Sequence, residues 1–159
     1  MDFDTLMQEV AAELWEADIP VSEQIDPQVR VNRRAKKRYG SCIRKGKRFV
    51  IELSAYLEDA EEPVVRTVLA HELLHTCPGC LNHGVRWKSY AERLRVRYGY
   101  EIARTASYGV LPETEPKTPQ YMLQCQSCGA VIPRQKMSKL IRAPWRYRCK
   151  CGGKLKRIL

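Results

Sequence analysis

All three histidines of the chain lie within one stretch of thirteen residues, HELLHTCPGCLNH, at positions 71–83. Core or surface histidines have no reason to cluster, whereas a metal site does. On a helix His71 and His75 are four residues apart and project from the same face, one turn above the other. Two imidazoles so placed can reach one zinc ion at about 2.0–2.1 Å each. Glu72 is rotated by roughly 100° from His71, which puts its carboxylate beside the ion, where it can hold a water molecule. Zinc lowers the pKa of such a water towards about 7 and polarises a carbonyl. Glu72 would then accept the water's proton and pass it to a leaving amine. A catalytic zinc normally keeps three protein ligands and one open position, and His83 is the natural third. Pro78 and Gly79 stop the helix, and the loop they begin can fold His83 back over the metal.

The surrounding pattern supplies a scaffold. Phe3, Leu6, Met7, Val10, Leu14 and Trp15 recur at helical spacing and predict an amphipathic helix ending before Pro20. Residues from about Val29 to Leu53 read as strands, with RYGSC and RFVIEL flanking a hairpin turn at Arg44-Lys45-Gly46. Glu61-Glu62-Pro63 opens a helix, with proline in the first turn and acids at the positive end of the dipole. It continues through VVRTVLAHELLH, apolar nearly all round, and so belongs in the middle of a domain. A further helix runs from about Gly84 to Tyr98, with Trp87, Ala91, Leu94 and Tyr98 facing inward. Helices on a small sheet make an α+β domain.

HELLHT followed by NHGVRW resembles the SprT-like metallopeptidase family, whose pattern is HExxH, a variable loop, then a His-Gly pair opening a helix. RAKKRYGSC upstream and GYEIARTAS downstream are similar to members of that family and its bacterial relatives, so the resemblance covers most of residues 30–108. It places the family's zinc ligands on His71, His75 and His83 and its catalytic glutamate on Glu72. It implies a minimal zincin, with the HExxH helix packed under a small β-sheet, and peptidase activity. In eukaryotic members it implies cleavage of proteins crosslinked to DNA; the substrate is not carried over with the fold.

Seven cysteines complete the metal-binding inventory. Cys77 and Cys80 form a CxxC around Pro78-Gly79. They are small residues in a tight loop, a redox-labile or metal-capturing pair, or a replacement for His83. Cys42 reads as a buried strand residue. Cys125 and Cys128 in QCQSCGA form a CxxC knuckle, and Cys149 and Cys151 in RCKCGGKL a tighter CxC. Four thiolates at this spacing fit a closed structural zinc site. A module this short buries too little apolar surface to fold without it. The reading is a zinc ribbon, which SprT-like proteins commonly carry at the C-terminus.

Charge follows the same division. Residues 1–120 hold 18 Lys/Arg and 18 Asp/Glu, whereas residues 121–159 hold ten Lys/Arg and no acid, so the net charge of +10 sits in the last module. Arg30 to Arg48 is a second acid-free block with ten Lys/Arg. Both point to a polyanionic partner, with nucleic acid, DNA in particular, the expectation. Trp145, Tyr147 and Tyr121 lie among cations in the module, where aromatics can stack on exposed bases; Trp145 and Tyr147 can also form its small core, and the two roles are compatible. LPETEPKTPQ reads as a linker, dividing the chain into residues 1–111, a Pro-rich linker at 112–120 and a ribbon at 121–159.

No apolar run approaches the roughly 20 residues needed to span a bilayer. The opening MDFDTLMQEV lacks the layout of a signal peptide, so the expected setting is the cytoplasm, without membrane association. There the cysteines act as ligands or free thiols rather than disulfides. Three functions remain: a zinc endopeptidase with one catalytic and one structural ion, acting on protein at DNA; a nucleic-acid-binding protein whose HExxH site is structural or vestigial; or a redox or zinc sensor acting through Cys77 and Cys80.

Overall fold

The computed structural model describes residues 1–103, 108–112 and 118–159. Part of GYEIARTAS and the centre of the expected linker lie outside the described residues. The chain forms two compact units, Met1–Pro112 and Glu113–Leu159.

The first unit is mixed α and β. Helix α1, Phe3–Glu16, starts where the Asp2 carboxylate accepts from the backbone N–H groups of Asp4 and Thr5, satisfying two donors that the first turn leaves open. Its apolar stripe buries Phe3, Leu6, Met7, Val10 and Leu14. Trp15, expected in that stripe, lies one residue beyond it and is largely exposed. Strands β1 (Arg30–Asn32), β2 (Gly40–Lys45) and β3 (Arg48–Ser54) form a sheet in the order β1-β3-β2. β1 runs parallel to β3 and β2 antiparallel. Lys45 pairs with Arg48, so the hairpin turn is Gly46-Lys47, one residue later than its sequence suggested. Gly46 takes φ 62°, the left-handed value that a two-residue turn asks of glycine.

β3 is covered on both faces. Ile51 and Leu53 enter the main core. Glu52 and Ser54, which alternate with them, are capped by the chain between β1 and β2, where the Ser54 hydroxyl donates to the Ala35 carbonyl at 2.6 Å.

Helix α2, Glu62–Leu74, carries Pro63 in its first turn and buries Val65, Val68, Leu69, Ala70, Leu73 and Leu74. It packs on both α1 and the sheet. Arg66 fixes α2 to α1, donating to Glu62 on its own helix and to Glu9 and Glu13 across the interface. The helix ends with His75 as its cap, still at right-handed angles (φ −67°, ψ −16°), so the four-residue spacing from His71 survives. After a turn at Pro78-Gly79, Gly84 leads into α3, Val85–Tyr98. Trp87, Ala91 and Leu94 are its buried residues, while Tyr98 is half-buried and donates to the Glu13 carbonyl.

The second unit is a three-stranded antiparallel sheet, ordered β5-β4-β6, from β4 (Tyr121–Cys125), β5 (Val131–Arg134) and β6 (Leu155–Arg157). A one-turn helix, α4 (Lys139–Arg142), is capped by Ser138. The buried core is four residues, Leu123, Cys125, Ile141 and Leu155. Trp145 is 70% exposed and Tyr147 lies at the surface, so neither builds that core. Among the described residues no helix is long and apolar enough to cross a membrane.

Candidate metal centre

Three imidazoles converge. Nε2 of His83 lies 3.1 Å from Nε2 of His71 and 3.1 Å from Nε2 of His75. The protonation of one ring follows from its other nitrogen. His75 Nδ1 is 2.8 Å from the Cys80 carbonyl oxygen, which can only accept, so Nδ1 carries the hydrogen and Nε2 the lone pair. The Ala103 backbone hydrogen-bonds the His71 ring as well. The His75 lone pair and two further Nε2 atoms thus face one point. Nitrogens bound at about 2.0–2.1 Å around a tetrahedral ion lie roughly 3.3 Å apart, so the trio fits a cation. Burial, with the neighbouring imidazoles adding to it, lowers the His71 pKa to about 4. The ring is therefore neutral and ready to ligate.

Backbone and aromatic contacts fix these rings. Ligating imidazoles are usually oriented by a hydrogen bond at the far nitrogen, and the Cys80 and Ala103 carbonyls occupy that place. Trp87, 2% exposed, lies edge-on to His71 and His83 with centroids 4.9 and 4.5 Å away, and stacks on His75 at 5.9 Å. The loop that delivers His83 is itself tied down, since Cys80 N–H donates to the Cys77 carbonyl and Arg86 to the Pro78 carbonyl. Gly79, at φ 74°, makes that turn. Cys77 and Cys80 are buried free thiols, and Cys42 is half-buried against the core. Burial pushes the Cys42 and Cys77 thiols up to about 12, which leaves them protonated and unreactive. Among the described residues it is His83, and neither cysteine, that joins the two helix histidines.

Glu72 is buried, with Oε1 4.0 Å from His71 Nε2. It stands beside the three nitrogens rather than among them. Burial raises its carboxyl to about 7, against a downward pull from Arg38. Strand β2 packs directly on it. A Cβ on Gly40 would meet Glu72 Cγ and Val68 Cγ1 at 3.1 Å and the Glu52 carbonyl at 3.2 Å. We expect Gly40→Ala to lower stability by about 1–3 kcal/mol through overpacking and to displace Glu72. Thermal melting checks the first effect, and catalytic loss with unchanged metal content the second.

In the second unit all four sulfurs, Cys125, Cys128, Cys149 and Cys151, lie within 4.8 Å of one another. Cys125 is 3.5 Å from Cys151, and Cys128 3.6 Å from Cys149. Sulfurs at about 2.3 Å around a tetrahedral ion stand roughly 3.8 Å apart. Backbone N–H groups of Cys128 and Ser127 point at the Cys125 sulfur, each at 3.4 Å, and help lower its pKa to about 6. The cluster could hold a metal ion, with the Cys125 thiolate already favoured.

The SprT-like family model matches residues 3–106. The chain belongs to the SprT-like family. Comparison with curated proteins and with solved structures gave no match. The matched span contains the whole histidine cluster and Glu72, and the cysteine cluster lies outside it. Members of the SprT-like family are generally associated with zinc metallopeptidase activity.

Several residues of this SprT-like site were missed in the sequence. Gly40, the Cys80 and Ala103 carbonyls and Trp87 as a plate behind three imidazoles carry no local signature. Glu52 did carry one, as an acid inside the apolar run RFVIELS. A charge in a strand buried on both faces needs a partner, and that partner is Arg38.

Proposed function

We propose that the chain is a zinc-dependent endopeptidase that acts on protein substrates at or crosslinked to DNA. On this reading His71, His75 and His83 hold the catalytic ion, Glu72 is the general base, and the four cysteines hold a structural ion in a zinc ribbon. The observation that carries it is the convergence of three Nε2 atoms with a buried carboxylate oxygen 4.0 Å from one of them.

A zinc ion there, when bound, supplies a Lewis acid that polarises the scissile carbonyl and acidifies water. The chain does the rest. The three imidazoles leave one side open to substrate, and Trp87 with the two backbone carbonyls holds their orientation. Glu72 takes a proton from the attacking water as the new C–O bond forms. It returns that proton to the amine nitrogen as the C–N bond breaks, so amide plus water becomes acid plus amine. Glu72 is held for this by Gly40, whose missing side chain lets β2 lie against the carboxylate stem. β2 is an edge strand, and an extended peptide pairing along it would pass close to Glu72.

The charge of the second unit supports a nucleic-acid partner. Trp145 and Tyr147, with Lys139, Arg142 and Arg146, line a surface cavity of about 350 Å³. Stacking on the indole with cations along the backbone suits single-stranded nucleic acid. The basic residues 30–48 offer a second, separate contact surface.

The test is cleavage of a DNA-bound protein by the full chain, with and without single-stranded DNA. Chelation is expected to abolish cleavage and added zinc to restore it. Trp145→Ala is expected to weaken single-strand binding about tenfold or more, and binding should fall steadily with salt. Cleavage that survives chelation overturns the peptidase, and salt-independent binding overturns the nucleic-acid partner.

A further inference from the structure

The chain leaving α3 touches the metal centre twice, yet residues 99–103 belong to no described helix or strand. Gly99 takes φ 75° and turns the chain out of the helix. Ile102 then packs against the core and shares the walls of a surface cavity with Trp87 and Ala91. Trp87 is the plate behind all three imidazoles. One residue further on, the Ala103 backbone hydrogen-bonds the His71 ring. A helix or a strand would hold such a segment by its backbone ladder. Here side chains have to set its path.

Tyr100 is the anchor. It is 8% exposed, the one buried residue of this strap, and its hydroxyl donates to Glu13 Oε2. Burial pushes that hydroxyl up to about 12, so it keeps its proton and stays a donor. Glu13 is held in turn. Its Oε1 accepts from Arg66 Nη1 at 3.3 Å, and its backbone carbonyl accepts from the Tyr98 hydroxyl at 3.0 Å. Arg66 stands on α2, little more than a turn before His71, and donates also to Glu62 at 2.9 Å and to Glu9. The clamp therefore grips α1 and α2 at once. From Tyr100 to Ala103 the chain spans at most about 10 Å when extended, so slack at the clamp is passed on to the contact with His71.

We propose that Tyr100, with Glu13 and Arg66 behind it, is a positioning residue of the histidine centre, fixing the strap whose backbone sets the orientation and tautomer of His71. This rests on reading His71 as a metal ligand. A hydrogen bond at one ring nitrogen decides which of the two carries the hydrogen. A fixed Ala103 thus keeps His71 in one form, and partners of this kind are worth about 10–100-fold in metal affinity. Helix α1, which contributes no ligand, thereby takes part in metal binding.

The experiment uses the full chain, with zinc itself as the probe. In metal-free protein at neutral pH, two-bond proton–nitrogen correlation reads the two ring nitrogens of His71. The unsubstituted chain should show one tautomer. Tyr100→Phe should show a mixture, while His75, held by the Cys80 carbonyl, keeps its single form. Zinc affinity of the histidine centre, by competition with a chromophoric chelator, should fall about 10–100-fold, with binding at the four cysteines unaltered. Glu13→Ala should reproduce both effects. The double variant should lose no more than either single one, since both residues act through one contact. Val10→Ala opens a cavity in the same helix and should lower the melting temperature with tautomer and affinity unchanged. A Tyr100→Phe protein that keeps the His71 tautomer and the zinc affinity overturns this inference alone, and so does a Val10→Ala protein that loses both. An unsubstituted chain that binds no zinc at its histidines overturns the metal-centre reading and this inference with it.

Discussion

Replacing Glu72 by glutamine is expected to lower peptide hydrolysis by about 10²–10⁴-fold in kcat while metal remains bound. The side chains have nearly the same shape, so the stem still fills the space between α2 and Gly40. On the proposed reading the carboxylate stands off the metal: its oxygen is 4.0 Å from His71 Nε2, whereas Nε2 of His83 lies 3.1 Å from those of His71 and His75. Only the proton acceptor is lost. Stability should hold, because the amide can occupy the same buried position without an ionised group there. Zinc content by atomic absorption, melting temperature and casein cleavage, measured on one preparation, separate the possibilities. Full activity in the variant would remove Glu72 from the chemistry. Loss of zinc together with activity would make it a ligand and redraw the site. His83→Ala is the control, since it should reduce both metal content and turnover.

The contrast between these residues shows what a sequence can disclose. His71, Glu72 and His75 are related by helix geometry alone, so their shared face could be read from spacing, and His83 is close enough in sequence for one turn to return it. The mixed α and β character followed from periodicity, because the stripes of α1 and α3 and the hairpin are local patterns. Trp15 escaped because a stripe one residue too wide is invisible without the neighbouring helix. The hairpin turn shifted because Gly46 alone accepts φ 62°, which fixes the loop at Gly46-Lys47. What stayed hidden was tertiary. Gly40 meets Glu72 across more than thirty residues, and the carbonyl that orients His71 comes from beyond α3. Backbone oxygens are offered by every residue, so no residue type marks the ones that matter. The cysteine pairs were legible for the opposite reason: thiolates at knuckle spacing are rare and chemically specific. For Trp145 packing excludes the core role, since Leu123, Cys125, Ile141 and Leu155 fill the small core without it.

That core leads to the second large effect, in the cysteine module. One of its four buried members, Cys125, is itself a proposed metal ligand, so packing and coordination are the same structure. Three short strands and a one-turn helix around so few apolar side chains do not offset the chain entropy of ordering them. A structural zinc contributes about 10–16 kcal/mol of apparent binding free energy in comparable small modules, enough to dominate the balance. Cys149→Ser is therefore expected to unfold the module, to halve the zinc content from two ions to one, and to abolish salt-dependent binding to single-stranded DNA. The first unit, with its own core and its own proposed metal site, should keep its melting transition and its cleavage of casein. Gly153→Ala probes the same module without touching a ligand. A Cβ there would lie 2.5 Å from Cys125 Sγ and 2.8 Å from Ser127 Cβ, so the two knuckles cannot close around the ion although all four thiolates remain. Both variants should lose the dispersed amide signals of residues 121–159 while those of residues 1–103 persist. A module that stays folded with Cys149 replaced would show that its strands suffice without metal. Equal loss of signals from both units would show that they fold as one.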